Sequence, residues 1–352
     1  MIISRTPLRM SFVGGGSDTP SYYRTYGGAV VSTTIRKYVY ISINRKFDDG
    51  VRLGYSKTEE VASVDEIEHP LFRATFDLLG VRGGVEVVTV ADIPSRGTGL
   101  GSSSAFTVGL INAISAYQGR YVSAQQMAAQ SCEIEIDICG APIGKQDQYA
   151  SAFGGLNLIE FHPDDSVSVN PIVMPRPALQ ELESQIITFY TGAERSASAL
   201  LQAAAQVATG DRAHASLQRM VELAYQLREE LQSGDISGFG AILDENWRLK
   251  RSLAPGISSG QIDAWYDRAK TAGAVGGKIL GAGGGGFLML YAPVSAHPAI
   301  EAALAPLRRV RFRLEPAGSR VIFYDPQDID DAPVALDLPA ASAPTTPMGG
   351  AG

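Results

Sequence analysis

The chain has 352 residues, 45% of them hydrophobic and 19% charged, and a formal net charge of −7. At ~150 residues per domain, that length predicts two domains with substantial cores. The acidic balance excludes a general nucleic-acid binder, which carries a basic field, but leaves room for a local basic pocket that holds an anionic small molecule.

Two cysteines, Cys132 and Cys139, and four scattered histidines fit neither a redox pair nor a zinc site. The start, MIISRTPLRM, lacks the apolar core of a signal peptide. No stretch approaches the ~18 apolar residues of a membrane span. A cytoplasmic protein with no membrane partner is the expectation.

The first chemical signature is RTPLRMSFVGGGSDTPSYY, Arg5 to Tyr23: a basic residue on a predicted strand, then Gly14, Gly15, Gly16, Ser17 and Asp18. It reads either as a hairpin-like turn or as a sugar site. In the second reading the glycines clear space and Asp18 accepts hydroxyl hydrogen bonds. YVYISINRKF (38–47) and GVEVVTVAD (84–92) alternate as half-buried strands do.

IPSRGTGLGSSSAFTVGL (93–110) follows at once. Gly97, Gly99 and Gly101 alternate with Thr98 and Leu100, and Ser102, Ser103 and Ser104 come next. Ala105, Phe106, Val108, Leu110, Ile111 and Ile114 then recur at helical spacing. A glycine loop between a strand and a helix N-terminus suits an anion, and phosphate is the usual one. No lysine completes a P-loop, and the glycine spacing is wrong for the dinucleotide fingerprint. The segment is a different phosphate cradle or a ligand-free turn.

A Ser-x-x-Gln capping box at Ser123 predicts a helix to about Asp137, which GAPIG (140–144) then breaks. Glu133 and Glu135 point about 200° apart on a helix, so at most one faces a buried site. Asp147 lies in a glycine-bounded stretch beside Lys145, whose charge would hold the carboxylate ionised as a proton acceptor. GLNLIEF and QIITFYT read as strands.

From about Arg195 the texture is helical: SASALLQAAAQV, LQRMVELAYQLREELQSG, FGAILDENWRLKRSL and the serine-capped SSGQIDAWYDRAKTAG. GGKILGAGGGGFLMLY (276–291) sets Gly283, Gly284, Gly285 and Gly286 between strand formers, as close backbone approach to a ligand requires. A strand GFLMLYA, a helix near His297 to Leu307 and strands RVRFRL and SRVIFY complete a second domain of helices on a sheet. Past Asp325 the Ala-, Pro- and Gly-rich chain predicts a disordered tail.

Three of these segments, in this order, resemble the motifs of the GHMP kinases, which include galactokinases, homoserine kinases and mevalonate kinases. PSRGTGLGSSSA is similar to their Pro-x-x-x-Gly-Leu-Gly-Ser-Ser-Ala, with one added residue between Pro94 and Gly99. Gly281 to Gly286 is similar to their Gly-Ala-Gly-Gly-Gly-Gly. The resemblance implies an α+β fold of two domains with the active site between them. Residues 1–180 would form a ribosomal-protein-S5-like ATP-binding α/β domain and 181–325 a ferredoxin-like α/β domain, with 326–352 as the tail.

It also implies ATP and Mg²⁺ as cofactors. The loop from Gly97 to Ser104, with Gly283, Gly284 and Gly285, would hold the nucleotide. Ser103 and Glu135 would ligate the metal, Asp147 would be the base, and Arg9 would offset charge at the transferring group. One departure is informative. Galactokinases have Gly-Glu-His-Thr-Asp where this chain has GGGSD, so Gly15 and Gly16 remove two sugar-holding side chains while Asp18 stays. Galactose is therefore not the expected substrate.

The longer stretches GKQDQYASAFGGLN, FYTGAERSAS and ENWRLKRSLAPGIS are similar to those of the bacterial D-glycero-D-manno-heptose 7-phosphate kinase branch. That implies phosphorylation of an anomeric hydroxyl on a sugar phosphate. Lys145, Arg195, Arg248 and Lys250 are the basic residues available to clamp its phosphate. A kinase of L-fucose or of another sugar phosphate is the enzymatic alternative. A non-catalytic sugar–ATP sensor is the other, although it would have no need of a base.

Overall fold

The computed structural model describes residues 1–94, 97–192 and 211–325. Arg195, the SASALLQAAAQV segment and the 326–352 tail lie outside the described residues.

Strand β1 (Ile2–Val13) ends in the Gly14–Asp18 turn, after which α1 (Pro20–Tyr26) leads to the long β2 (Gly28–Arg45). β3 (Val51–Gly54), β4 (Thr58–Val61), α2 (Pro70–Leu79) and β5 (Val85–Ala91) follow. The glycine loop then opens α3 (Ser102–Tyr117), a helix buried on almost every side. Its apolar residues show little one-sided bias because it is the central helix of the domain, not a surface one.

α4 (Ala124–Cys132) starts on the expected Ser123–Gln126 capping box. The predicted helix to Asp137 is not regular throughout: from Glu133 to Ile138 it widens into a π turn, with Cys139 N–H bonded to the Ile134 carbonyl at 2.9 Å. α5 (Gln146–Phe153), β6 (Leu156–Phe161), β7 (Val167–Pro171), α6 (Arg176–Gln185) and β8 (Ile186–Tyr190) come next.

The remainder is α7 (Asp211–Ser233), α8 (Phe239–Leu253), α9 (Gly260–Thr271), β9 (Gly276–Ile279), β10 (Phe287–Tyr291), α10 (His297–Leu304), β11 (Arg308–Arg309) and β12 (Arg320–Tyr324).

The strands form two sheets. One runs β12-β1-β2-β5-β3-β4, with β6 and β7 extending from the near end of β2; the other runs β11-β8-β10-β9. Two expectations need correction. SRVIFY is not part of the second sheet: β12 returns to the first and pairs antiparallel with β1, Ile2 opposite Tyr324. Of RVRFRL (309–314) only Arg309 belongs to a strand, the two-residue β11. A short strand does not encode its partner locally, since pairing follows from where the chain can return.

The sheets share a core. Phe12 of β1 packs edge-on against Phe239 of α8 at 5.2 Å between ring centroids, and Phe239 lies 4.9 Å from Tyr291 of β10. Each such aromatic pair contributes about 1 kcal/mol beyond simple burial. One apolar cluster thus runs from β1 and α3 across to Phe287 and Met289. That continuity holds the end of β1 against the second sheet.

Candidate active site

Arg9 and Asp147 meet where the two sheets adjoin. Arg9 comes from β1 and Asp147 from the first turn of α5. The guanidinium grips the carboxylate with two parallel bonds, Nε to Oδ1 at 2.7 Å and Nη2 to Oδ2 at 2.6 Å. Nη1 donates to the Gly99 carbonyl at 2.6 Å, and the Arg9 N–H to Leu100 O at 3.0 Å. Arg9 is 4% exposed and Asp147 23%, so the carboxylate is the open half of the fork. A Cβ on Gly101 would sit 3.2 Å from Arg9 Cγ and 3.3 Å from Asp147 Oδ2. Glycine lets the loop lie directly on the pair.

Lys145 is not the partner of Asp147, contrary to expectation. Its Nζ donates to Asp165, at 3.1 Å to the carbonyl and 3.3 Å to Oδ1, alongside Tyr23 and Arg24. Positions two apart at a helix start point to different sides.

The two glycine loops interlock. Gly97, Gly99 and Gly101 all have φ between 70° and 74°. A Cβ on Gly99 would meet the Leu280 carbonyl at 2.2 Å, and one on Gly281 would meet Gly99 Cα at 2.4 Å. Gly286 abuts Thr98 O, and Gly283 abuts Ile257 O, each at 2.5 Å from such a Cβ. Gly284 N–H bonds to Ile257 O at 2.9 Å, while Gly285 is buried in the same turn. Leu100, fully buried, anchors the first loop in the core.

At the N-terminus of α3, Gly101 supplies no capping side chain, so the first N–H groups have no cap from it. Thr98, Ser102 and Ser104 are buried and Ser103 alone is exposed. The arrangement is a donor-rich helix mouth suited to phosphate.

Ser103 Oγ donates to Glu135 Oε1 at 2.7 Å, and Gln148 Nε2 to Glu135 Oε2 at 2.7 Å. Glu135 is 1% exposed, whereas Glu133 is exposed. Burial pushes the Glu135 carboxyl up to about 7, partly offset by hydrogen bonds from Ser104, Ser103 and Gln148. The π turn carries this acid inward, a use such turns often serve.

The Gly14–Asp18 turn completes the cleft. Gly14, at φ 90°, lies so close to β2 that a Cβ would fall 1.9 Å from Ala29 O. Ser17 is fully buried and braces the turn: its Oγ donates to Gly14 O at 2.8 Å and accepts from Ala29 N at 3.1 Å. Asp18 accepts from Gly16 N at 2.8 Å and from Gln146 N at 3.3 Å, tying the turn to α5. Burial raises its carboxyl, with Asp147 adding and the backbone N–H groups opposing. The space above Gly15 is bounded by Ser11 Oγ and the Gln146 amide, and Gly16 faces Leu217.

Of the other basic residues, Lys250 reaches the centre. Its Nζ donates to Gly281 O at 2.6 Å. Burial lowers its ammonium to about 8; Asp18 and Asp147 oppose that, and Arg9 adds to it. Arg248 points elsewhere, pairing with Asp244 at 2.5 Å while 67% exposed. Sequence reasoning missed Lys278, Asn246 and Gln148. A lysine inside the apolar strand GGKIL was the available signal for the first.

The sequence profile "GHMP kinases N terminal domain" matches residues 67–155 and "GHMP kinases C terminal" matches 227–307. The chain is 28% identical over 302 residues to a D-glycero-alpha-D-manno-heptose 7-phosphate kinase from Campylobacter jejuni, covering 82% of this chain and 89% of that one. It is 27% identical over 311 residues to a bifunctional fucokinase/GDP-fucose pyrophosphorylase from Arabidopsis thaliana, covering 81% of this chain but 29% of that longer protein. A solved D-glycero-D-manno-heptose 1-phosphate kinase from Bacteroides thetaiotaomicron superposes with TM-score 0.76 at 25% identity, over 92% of this chain and 100% of that one. The chain carries both GHMP kinase domains in the two-domain GHMP kinase fold.

Proposed function

We propose that this GHMP-type phosphotransferase moves the γ-phosphoryl group of ATP onto the anomeric hydroxyl of D-glycero-D-manno-heptose 7-phosphate. The observation that carries the reading is the Arg9–Asp147 fork lying directly on Gly101, at the mouth of α3. Here a carboxylate able to take a hydroxyl proton adjoins a loop able to hold phosphates. The sugar hydroxyl oxygen bonds to the γ-phosphorus, the β–γ bridging bond breaks and ADP leaves, while the hydroxyl proton passes to Asp147. Arg9 stabilises negative charge on the transferring group. Catalysis of this kind is mostly positioning and electrostatics.

Mg²⁺ fits the Ser103–Glu135 pair. Glu135 is a buried acid with hydrogen-bond donors but no cation in contact among the described residues, and a divalent ion with hard oxygen ligands and retained waters answers that arrangement. When bound, the ion neutralises charge on the β- and γ-phosphates. No clusters of three or more metal-type residues occur among the described residues.

The choice of heptose 7-phosphate is supported by the Campylobacter relative and by the side-chain-free Gly15 and Gly16. Lys250 offers a cation for the substrate phosphate. Fucose is the second reading, favoured by the fucokinase relative. An ADP-release assay across heptose 7-phosphate, heptose 1-phosphate, fucose, galactose and mevalonate, with phosphorus NMR of the product, tests both. The 1,7-bisphosphate should dominate and require a divalent cation. Fucose 1-phosphate as the preferred product, or no ADP release with any sugar, would overturn the assignment.

A further inference from the structure

We propose that Lys278 and Asn246, both in the C-terminal domain, are positioning residues that hold the acceptor turn Gly14–Asp18 in register with the nucleotide loops. The observation is a β-bulge. Ser11 pairs with Ser32 and Val13 with Val31, so Phe12 is an extra residue on β1. A bulge disrupts the ladder locally and bends its strand. Lys278, on β9 and fully buried, reaches across the domain interface to this point: its Nζ donates to Ser11 O at 2.8 Å and to Phe12 O at 3.1 Å. Asn246 of α8, also fully buried, accepts the Gly14 N–H at 3.1 Å. Two carbonyls near the end of β1 and the first N–H of the turn that follows are thus held by side chains of the other domain.

Donor counting supports a structural clamp. No carboxylate forms an ion pair with Lys278 among the described residues. Burial, with Lys250 and Arg9 adding and Asp18 opposing, holds its ammonium well below the usual lysine range. Both of the hydrogen bonds it donates end on backbone carbonyls of β1, so its buried N–H groups are spent on the strand. Arg9 lies two residues before the clamped Ser11, and the glycine turn begins two residues after Phe12. Fixing this bulge therefore fixes both the cation and the acceptor side of the cleft. A displacement of about 1 Å at such a place costs about 100-fold in rate.

The kinetic arm of the test rests on the kinase reading above; the exchange arm does not. Lys278→Met keeps the chain length and removes both donors, while Asn246→Ala leaves the sheet untouched. Each should lower kcat/KM for the acceptor sugar by about 10- to 100-fold, with the ATP KM changed by no more than about twofold. Each should also speed hydrogen–deuterium exchange of a peptide spanning 11–18, with exchange in α3 unchanged. Wild-type exchange of that peptide in both variants would overturn the proposal, as would a loss shared equally between ATP and sugar with faster exchange throughout. If the wild-type enzyme turns over no sugar tested, the kinase reading fails and the exchange of 11–18 still decides this one.

Discussion

Arg9 reaches Asp147 across 138 positions of chain, and neither residue's neighbours foretell the other. What was legible for each was its residue type and setting: a basic residue on a strand before glycines, and an acid among glycines. The partnership was not. Lys145, nearer in sequence, was the obvious cation and is occupied by Asp165. Glu135 was easier: helix geometry let at most one of Glu133 and Glu135 face a buried site, and the family resemblance pointed to Glu135. Lys250 yields a test at this scale. Its ammonium lies near 8, below the ordinary 10.5, so it loses its proton as the pH rises through about 8. If it holds the substrate phosphate, kcat/KM for the sugar should fall across that range, and Lys250→Met should flatten the profile. A pH–rate series checks this; an unchanged profile in the variant removes Lys250 from the phosphate. Stability moves oppositely. The unfolded chain binds the extra proton between about 8 and 10.5, so this group's contribution to stability grows as the pH rises through that window.

At the level of elements, the glycine loops are where local sequence and distant contact agree. The alternation of Gly97, Gly99 and Gly101 predicted a phosphate-type turn before a helix; α3 follows, but starts at Ser102, so the three serines form its first turn and not the end of the loop. That the same glycines serve a second purpose, letting the 280–286 loop pass within contact of Gly99, follows only from the folded chain. Gly99→Ala should therefore combine a positive-φ cost of ~1–2 kcal/mol with a clash against Leu280 O. Gly80, at φ 71° with nothing within 4 Å of its added Cβ, isolates the first effect. Thermal unfolding and ATP titration of both alanine variants should show Gly80→Ala mildly destabilised with normal ATP binding, and Gly99→Ala more destabilised with ATP bound ~10-fold more weakly. Equal behaviour of the two would mean that the loops do not constrain one another. Elements with local punctuation, such as α4 with its capping box, were legible; β12 was not, since its pairing with β1 depends on the path of the whole chain.

Over the whole molecule, the two sheets act as one support for the cleft. Phe12, Phe239 and Tyr291 continue the core from one domain into the other, so β1 presents Arg9 and the Gly14–Asp18 turn against the second sheet's glycine hairpin. No described helix is long and apolar enough to cross a membrane. The two-domain plan was readable from length and motif order. The bulge that admits Lys278 was not, because only a completed sheet shows which strand carries an extra residue. The convergence of distant segments on one carboxylate is the central claim, and the Asp147→Asn enzyme tests it most directly. Turnover and ATP affinity measured on the same preparation should diverge, with kcat lower by about 10²- to 10⁴-fold and ATP bound as in the wild type. Near-normal turnover by that enzyme would contradict the account.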